Sequence, residues 1–231
     1  MRDFGTAVIL AGGASRRMGF DKQRLCIEGG SLVAWQLRRL RPLFSHFVIV
    51  TRSPELYADC DALIVADRLP GLGPLSGLHA GLCHAQSRWS YLLACDMPVL
   101  NLEYISFMQG RLEQPRSSDE AGQRGKTGQL VRKDPDNSNH PPEACVTRFR
   151  NWIEPFSAFY HASFAARIEE AWHKVSAGAV IRPSIGQLLT SAPVHYIPES
   201  EAAAFSPDWS MFMNLNTAED LARFPDLSVC G

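Results

Sequence analysis

Three polar stretches of this sequence gather the residue types that phosphate chemistry needs. The first is LAGGASRRMGFDK, Leu10 to Lys22, which places Gly12-Gly13, Arg16-Arg17 and Lys22 directly after the strand-forming run that begins at Thr6. Paired glycines let a backbone pass close to a ligand and turn its N–H groups toward it. With arginines and a lysine on the same loop, the combination suits a triphosphate, whose transferring phosphorus needs its charge neutralised in the transition state. The loop has neither the GxxxxGK[ST] of a P-loop nor the GxGxxG of a dinucleotide fold. The competing reading is a solvated loop whose charges only maintain solubility. Asp21 reads either as a turn residue or as a partner for Arg17 or Lys22.

The second stretch, DRLPGLGPLSGL, opens at Asp67 and carries three glycines and two prolines. Such a loop has a fixed shape and can enclose a planar base, with Asp67 accepting from a base N–H; PG and GP pairs are also ordinary turn punctuation. Asp96, in LLACDMP, ends an apolar run and is followed by the stiffening Pro98. A carboxylate there is placed to hold Mg²⁺ between phosphates, or else to cap a turn. In MFMNLNTAEDL, Asn214 and Asn216 alternate, so both face one side if extended. They are candidates for metal or phosphate binding, or for capping the helix that follows. His79, His84 and His161 lack ligand spacing and read as surface or core residues. Trp35, Trp89, Trp152, Trp172 and Trp209 are candidates for core or groove.

The elements that must position these residues alternate in type. Thr6–Leu10, Phe47–Thr51, Ala62–Ala66 and Ser90–Cys95 read as strands; Ser31–Leu40 (capped by Ser31), Leu75–Ala85 and Asn101–Leu112 read as helices. That order predicts an α/β fold, a mostly parallel sheet with helices on both faces, and ligands beyond the carboxyl ends of the strands. ACVTRF and WIEPFSAFYH, from Ala144 to His161, predict an antiparallel hairpin added to it. Phe164–Val175 is a helix, Val194–Ile197 a strand, and Thr217–Phe224 a last helix with Thr217 and Asp220 as its capping pair. Glu113 to Glu143 is almost devoid of apolar residues and reads as a mobile surface insertion in a single domain spanning 1–231.

With 23 basic and 24 acidic side chains, the net charge of −1 gives no bulk attraction to nucleic acid or membrane, so anion binding must be local. No apolar run approaches the length of a membrane span and no secretory segment is evident, which predicts a cytoplasmic protein. Six scattered cysteines without CxxC spacing read as reduced core thiols.

LAGGASRRMGFDK, GLGPLSGL, ACDMP and NLNTAEDL, in that order, resemble the motifs of the molybdenum cofactor guanylyltransferases, the molybdopterin-linked MobA-like nucleotidyltransferases. The resemblance spans Thr6 to Phe224 apart from the insertion. It implies a Rossmann-like nucleotidyltransferase core and a magnesium-dependent enzyme. That enzyme would move GMP from GTP to Mo-molybdopterin, form the guanine dinucleotide cofactor and release pyrophosphate. It would bind the nucleotide along Leu10, Ala11, Gly12 and Gly13. Lys22 would meet the triphosphate with Arg17 and Arg16, Asp67 and Gly73 would define the guanine pocket, and Asp96 would hold Mg²⁺. Asn214 and Asn216 would lie toward the substrate phosphates, and Phe149 to His161 would help form the pterin half of the cleft. Transient contact with molybdoenzymes or their chaperones follows from the same resemblance. A cytidylyltransferase using CTP, a transferase acting on another small phosphate and a non-catalytic molybdopterin carrier are the alternatives. The glycines of Gly12-Gly13 and GPLSG resemble the guanylyl branch more than the cytidylyl branch. The insertion is longer than the family pattern.

Overall fold

The structure is a computed structural model that describes residues 2–12, 21–113, 140–150, 152–178 and 182–229. In chain order the elements are β1 (Arg2–Ala11), β2 (Leu25–Ile27), β3 (Gly30–Ser31), α1 (Leu32–Leu40), β4 (His46–Thr51), β5 (Leu63–Val65), α2 (Pro74–Cys83) and β6 (Ser87–Ala94). They continue with α3 (Leu102–Glu113), β7 (Ala144–Phe149), β8 (Trp152–His161), α4 (Phe164–Ser176), α5 (Ile185–Ser191), β9 (Val194–Pro198), α6 (Glu199–Ala202), α7 (Ala218–Ala222) and β10 (Leu227–Val229).

Seven strands form one sheet in the order β5-β4-β1-β6-β8-β7-β9. The pairs β1–β4, β1–β6, β4–β5 and β7–β9 are parallel, whereas β8 runs antiparallel to both β6 and β7. The expected mostly parallel sheet with an antiparallel hairpin is therefore present. Alternation along β1 splits its side chains between two cores: Ala7, Ile9 and Ala11 face one, Val8 and Leu10 the other. The first core is closed by Val33, Leu37 and Leu40 of α1 and by Tyr104, Ile105 and Met108 of α3. The second is closed by Leu75, Leu78 and Leu82 of α2, Phe164 and Ile168 of α4, and Ile185 and Leu189 of α5. Helices thus cover both faces, which is why the central strands read as continuous apolar runs.

Ser31 caps α1 by accepting from the Ala34 N–H, and Thr217 with Asp220 forms a reciprocal capping box at α7. The insertion expected from Glu113 to Glu143 falls mainly on residues 114–139, outside the described residues. One expectation fails. The cysteines are not uniformly reduced core thiols: Cys95 and Cys145 are buried and free, Cys83 is free but exposed, and Cys26 is disulfide-bonded. A small sheet, β10-β2-β3, was not predicted. Its strands are two or three residues long, too short for alternation to register.

Candidate active site

The chain leaves β1 toward β4 and β5 on one side, then returns to place β6 on the other. The connections diverge at that point, and the carboxyl ends of β1 and β6 border a crevice. β1 delivers Leu10 and Ala11 to it with buried side chains, so only their backbone faces a ligand. At Gly12 a Cβ would meet nothing within 4 Å among the described residues. Gly13, Arg16 and Arg17 lie outside the described residues.

Asp21 serves as a turn residue: its carboxylate accepts from the Gln23 N–H at 3.0 Å and caps the short turn Lys22–Arg24. Gln23 in turn accepts from the Thr51 hydroxyl at the end of β4. The turn aims Lys22 across the crevice. Its ammonium donates to the Asp96 carboxylate at 2.6 Å and to the Asn216 amide oxygen at 2.8 Å. Three sequence stretches are thus joined at one nitrogen. Asp96 and Lys22 are mostly shielded, at 13% and 20% side-chain exposure, so water screens their attraction incompletely.

Two further contacts fix Asp96. Its carbonyl accepts from the Leu215 N–H at 3.0 Å, and the buried Gln36 donates to the carbonyls of Ala94 and Met97 on either side. Gln36 was not predicted. Its signal was a carboxamide on the apolar face of α1, between Val33 and Leu37. The capping alternative holds for Thr217 and Asp220 but leaves the Asn216 side-chain oxygen for Lys22. The Asn214 amide oxygen is buried without a hydrogen-bond partner among the described residues.

The Asp67 loop does not join this trio. Asp67 faces Arg52 at 3.5 Å, a pair whose guanidinium is 79% exposed. Buried Leu69 and Leu72 anchor the loop, and the Ser76 hydroxyl donates to the Leu69 carbonyl. Gly73 adopts φ +56°, has nothing within 4 Å of where a Cβ would stand, and hands the chain to Pro74 at the start of α2. Arg182, not singled out beforehand, brings its guanidinium to within 4 Å of where a Cβ on Gly71 would stand.

On the other flank, the hairpin β7–β8 brings Phe149 and Trp152 to the same edge of the sheet as Asp96. Phe149 meets Trp209 edge-on at 4.6 Å, Arg148 lies over the Tyr196 ring at 4.0 Å, and Trp152 is 52% exposed. Glu154 sits in this flank and is buried. One carboxylate oxygen accepts from the Phe156 N–H, and the other has no partner among the described residues. Burial pushes its pKa up to about 8, and the Asp96 charge adds to the rise against that hydrogen bond. The strand is irregular here: Ser157 takes φ +47°, and its hydroxyl meets the Tyr91 hydroxyl at 2.7 Å. A carboxylate interrupting an apolar run, WIEPF, was the available signal. A hollow of about 1020 Å³ lies at the opposite end of the strands against Phe4, Trp89 and His161, and is not part of this site.

Oxygen donors and one ammonium at the switch point of a parallel sheet suit the binding of a polyphosphate. Comparison with known proteins agrees with that chemistry. The family described as the MobA-like NTP transferase domain matches residues 7–191. The chain is 42% identical over 221 residues to a molybdenum cofactor guanylyltransferase of Syntrophotalea carbinolica, covering 96% of this chain and 90% of that protein. It is also 42% identical, over 225 residues, to a probable molybdenum cofactor guanylyltransferase of Peptoclostridium acidaminophilum, covering 97% and 90%. Among solved structures, the molybdopterin-guanine dinucleotide biosynthesis protein A of Archaeoglobus fulgidus superposes with a TM-score of 0.66 at 26% identity, over 94% of this chain and 95% of that one.

Proposed function

Because this chain belongs to the MobA-like NTP transferase family, a family of nucleotidyltransferases, we propose that it transfers GMP from GTP to the phosphate of Mo-molybdopterin. The products are the guanine dinucleotide cofactor and pyrophosphate. The observation that carries the reading is the meeting of Lys22, Asp96 and Asn216 at the switch point.

In this mechanism an oxygen of the pterin phosphate attacks the α-phosphorus of GTP, and the bond from that phosphorus to the bridging oxygen of pyrophosphate breaks. A phosphomonoester carries an ionised oxygen near neutral pH, so the protein need supply no nucleophile. The chain's task is to position two anions and to neutralise charge as it develops. Lys22 exchanges Asp96 and Asn216 for phosphate oxygens and stabilises the departing pyrophosphate, with Arg17 and Arg16 assigned to the same loop. The donor set fits Mg²⁺: the Asp96 carboxylate and the Asn216 amide oxygen, both held at the Lys22 ammonium, are hard oxygens. When bound there, Mg²⁺ supplies charge neutralisation at the α-phosphate.

Asp67 and Gly73 favour guanine. Guanine presents two adjacent N–H donors to a carboxylate, whereas cytosine presents acceptors at the corresponding edge. Arg52 has to yield Asp67 to the base, and an exposed pair of this kind costs little to separate. The aromatic and cationic flank of Phe149, Trp152 and Arg148 suits a planar, anionic pterin.

Calorimetric titration with GTP, CTP and ATP in magnesium tests the base. GTP binding with little for the others supports the assignment, and preference for CTP overturns it. Pyrophosphate release from GTP in the presence of Mo-molybdopterin tests the transfer. Asp96→Asn is expected to lower kcat by about 10²–10³-fold; undiminished turnover at saturating substrate would remove Asp96 from the mechanism.

A further inference from the structure

On the sheet face away from α1, α2 packs beside α4, and three potential ligands of three kinds converge between them. His79 and Cys83 stand one helical turn apart on α2, and Glu169 reaches them from α4. The same ring nitrogen, Nε2 of His79, lies 2.9 Å from Glu169 Oε1 and 3.5 Å from Cys83 Sγ. All the ligand atoms fall within 4.8 Å of one another. From typical zinc bond lengths, neighbouring N, O and S ligands of a tetrahedral zinc ion stand roughly 3.3–3.6 Å apart. The cluster therefore needs only small side-chain adjustments to close around an ion. A helix-bridging His–Glu pair alone would need no thiol, yet Cys83 Sγ stands 3.5 Å from the nitrogen that pair uses and 3.9 Å from the other ring nitrogen.

We propose that His79, Cys83 and Glu169 bind Zn²⁺ with three protein ligands and a solvent molecule, forming a clamp between α2 and α4 that is separate from the nucleotidyl-transfer site. The imidazole–thiolate–carboxylate set selects a borderline metal over Mg²⁺ and Ca²⁺, which take oxygen. Burial and the Glu169 charge keep the Cys83 pKa above its usual value, so the thiol releases its proton to solvent as the metal binds. Metal here pins α2, whose first residue, Pro74, follows the Asp67–Gly73 loop.

The test uses the whole, tag-free protein, reduced and stripped with chelator, then titrated with Zn²⁺ against a fluorescent zinc indicator in excess Mg²⁺. One tight equivalent is expected. Cys83→Ser and His79→Ala should each weaken it by at least about tenfold, Glu169→Gln should weaken it too, and Cys60→Ser should leave it unchanged. Cobalt(II) provides a measurement on the unaltered chain, because thiolate ligation gives a charge-transfer absorption band. Failure to bind Zn²⁺, binding unchanged in Cys83→Ser, or a cobalt complex without the thiolate band each overturns the proposal. None of these outcomes depends on GTP or on transfer activity.

Discussion

At Lys22 a single ammonium holds a carboxylate and an amide oxygen drawn from two distant stretches of chain, the first a candidate for binding metal and the second for metal or phosphate. Lys22→Met should therefore act on chemistry far more than on folding, lowering transfer by about 10²–10³-fold while the far-ultraviolet circular dichroism spectrum is retained. Lys22 was legible as a cation in a glycine loop after a buried strand, Asp96 as the end of an apolar run, and Asn216 as one of two alternating amides before a helix. Glu154 and Gln36 also interrupt apolar runs, but one polar residue in such a run marks a solvent-facing position as often as a buried one until burial is known. Glu154 carries a prediction of its own. Its folded pKa of about 8 lies above the ordinary 4.5, so the native state binds the extra proton between those values. Stability contributed by this group should fall as pH rises from about 4.5 to about 8 and then level off, by an amount on the order of a few kcal/mol. Chemical denaturation of Glu154→Gln across that range should show a flatter profile than the parent chain; an unchanged slope would assign the pH dependence elsewhere.

At the scale of elements, α2 shows why a glycine-rich helix is stable here. A Cβ on Gly77 would stand 3.0 Å from Leu10 Cδ2, and one on Gly81 only 2.3 Å from Val8 Cγ1, so the two glycines let the helix lie close against β1. Gly81→Ala should destabilise by about 1–3 kcal/mol through overpacking. Gly110→Ala in α3, where nothing lies within 4 Å, should instead stabilise by roughly 0.5–1 kcal/mol. Urea denaturation of both variants checks the opposite signs. The glycine spacing in PLSGLHAGLC was visible in the sequence, but its cause is a strand that lies far away along the chain. The apolar stripes of α1 and α4 were legible, but α5 was not, although Ser184 and Gln187 form a capping box at its start. Strands β2, β3 and β10 were not, since their identity comes from pairing with one another rather than from local pattern.

Across the whole molecule, the alternation of strands and helices was enough to locate the crevice of the candidate site, because strand order in a parallel sheet dictates where connections diverge. The antiparallel hairpin was expected, but not that its second strand, β8, would be the one to pair with β6 and bring Glu154 to the same edge. A ligand that bridges the ends of β1 and β6 and the segment around Asn216 should stabilise all of them together. At about 100 times its Kd, GTP with Mg²⁺ should add about 2.7 kcal/mol and raise Tm, CTP should not, and Lys22→Met should lose the effect; thermal scanning fluorimetry reads each case. Asn216 lies 194 residues beyond Lys22, and the same late segment supplies Leu215 against Leu25 and Leu32, and β10 against β2. Synthesis delivers the last strand of the sheet, β9, before it delivers these contacts. A nascent or proteolytically shortened chain that stops before Leu215 would carry Lys22 and Asp96 but lack Asn216 and the segment that braces them. The chain from Leu215 onward is thus the part on which the third member of the candidate site depends, so loss of that tail would uncouple the Lys22–Asp96 pair from Asn216.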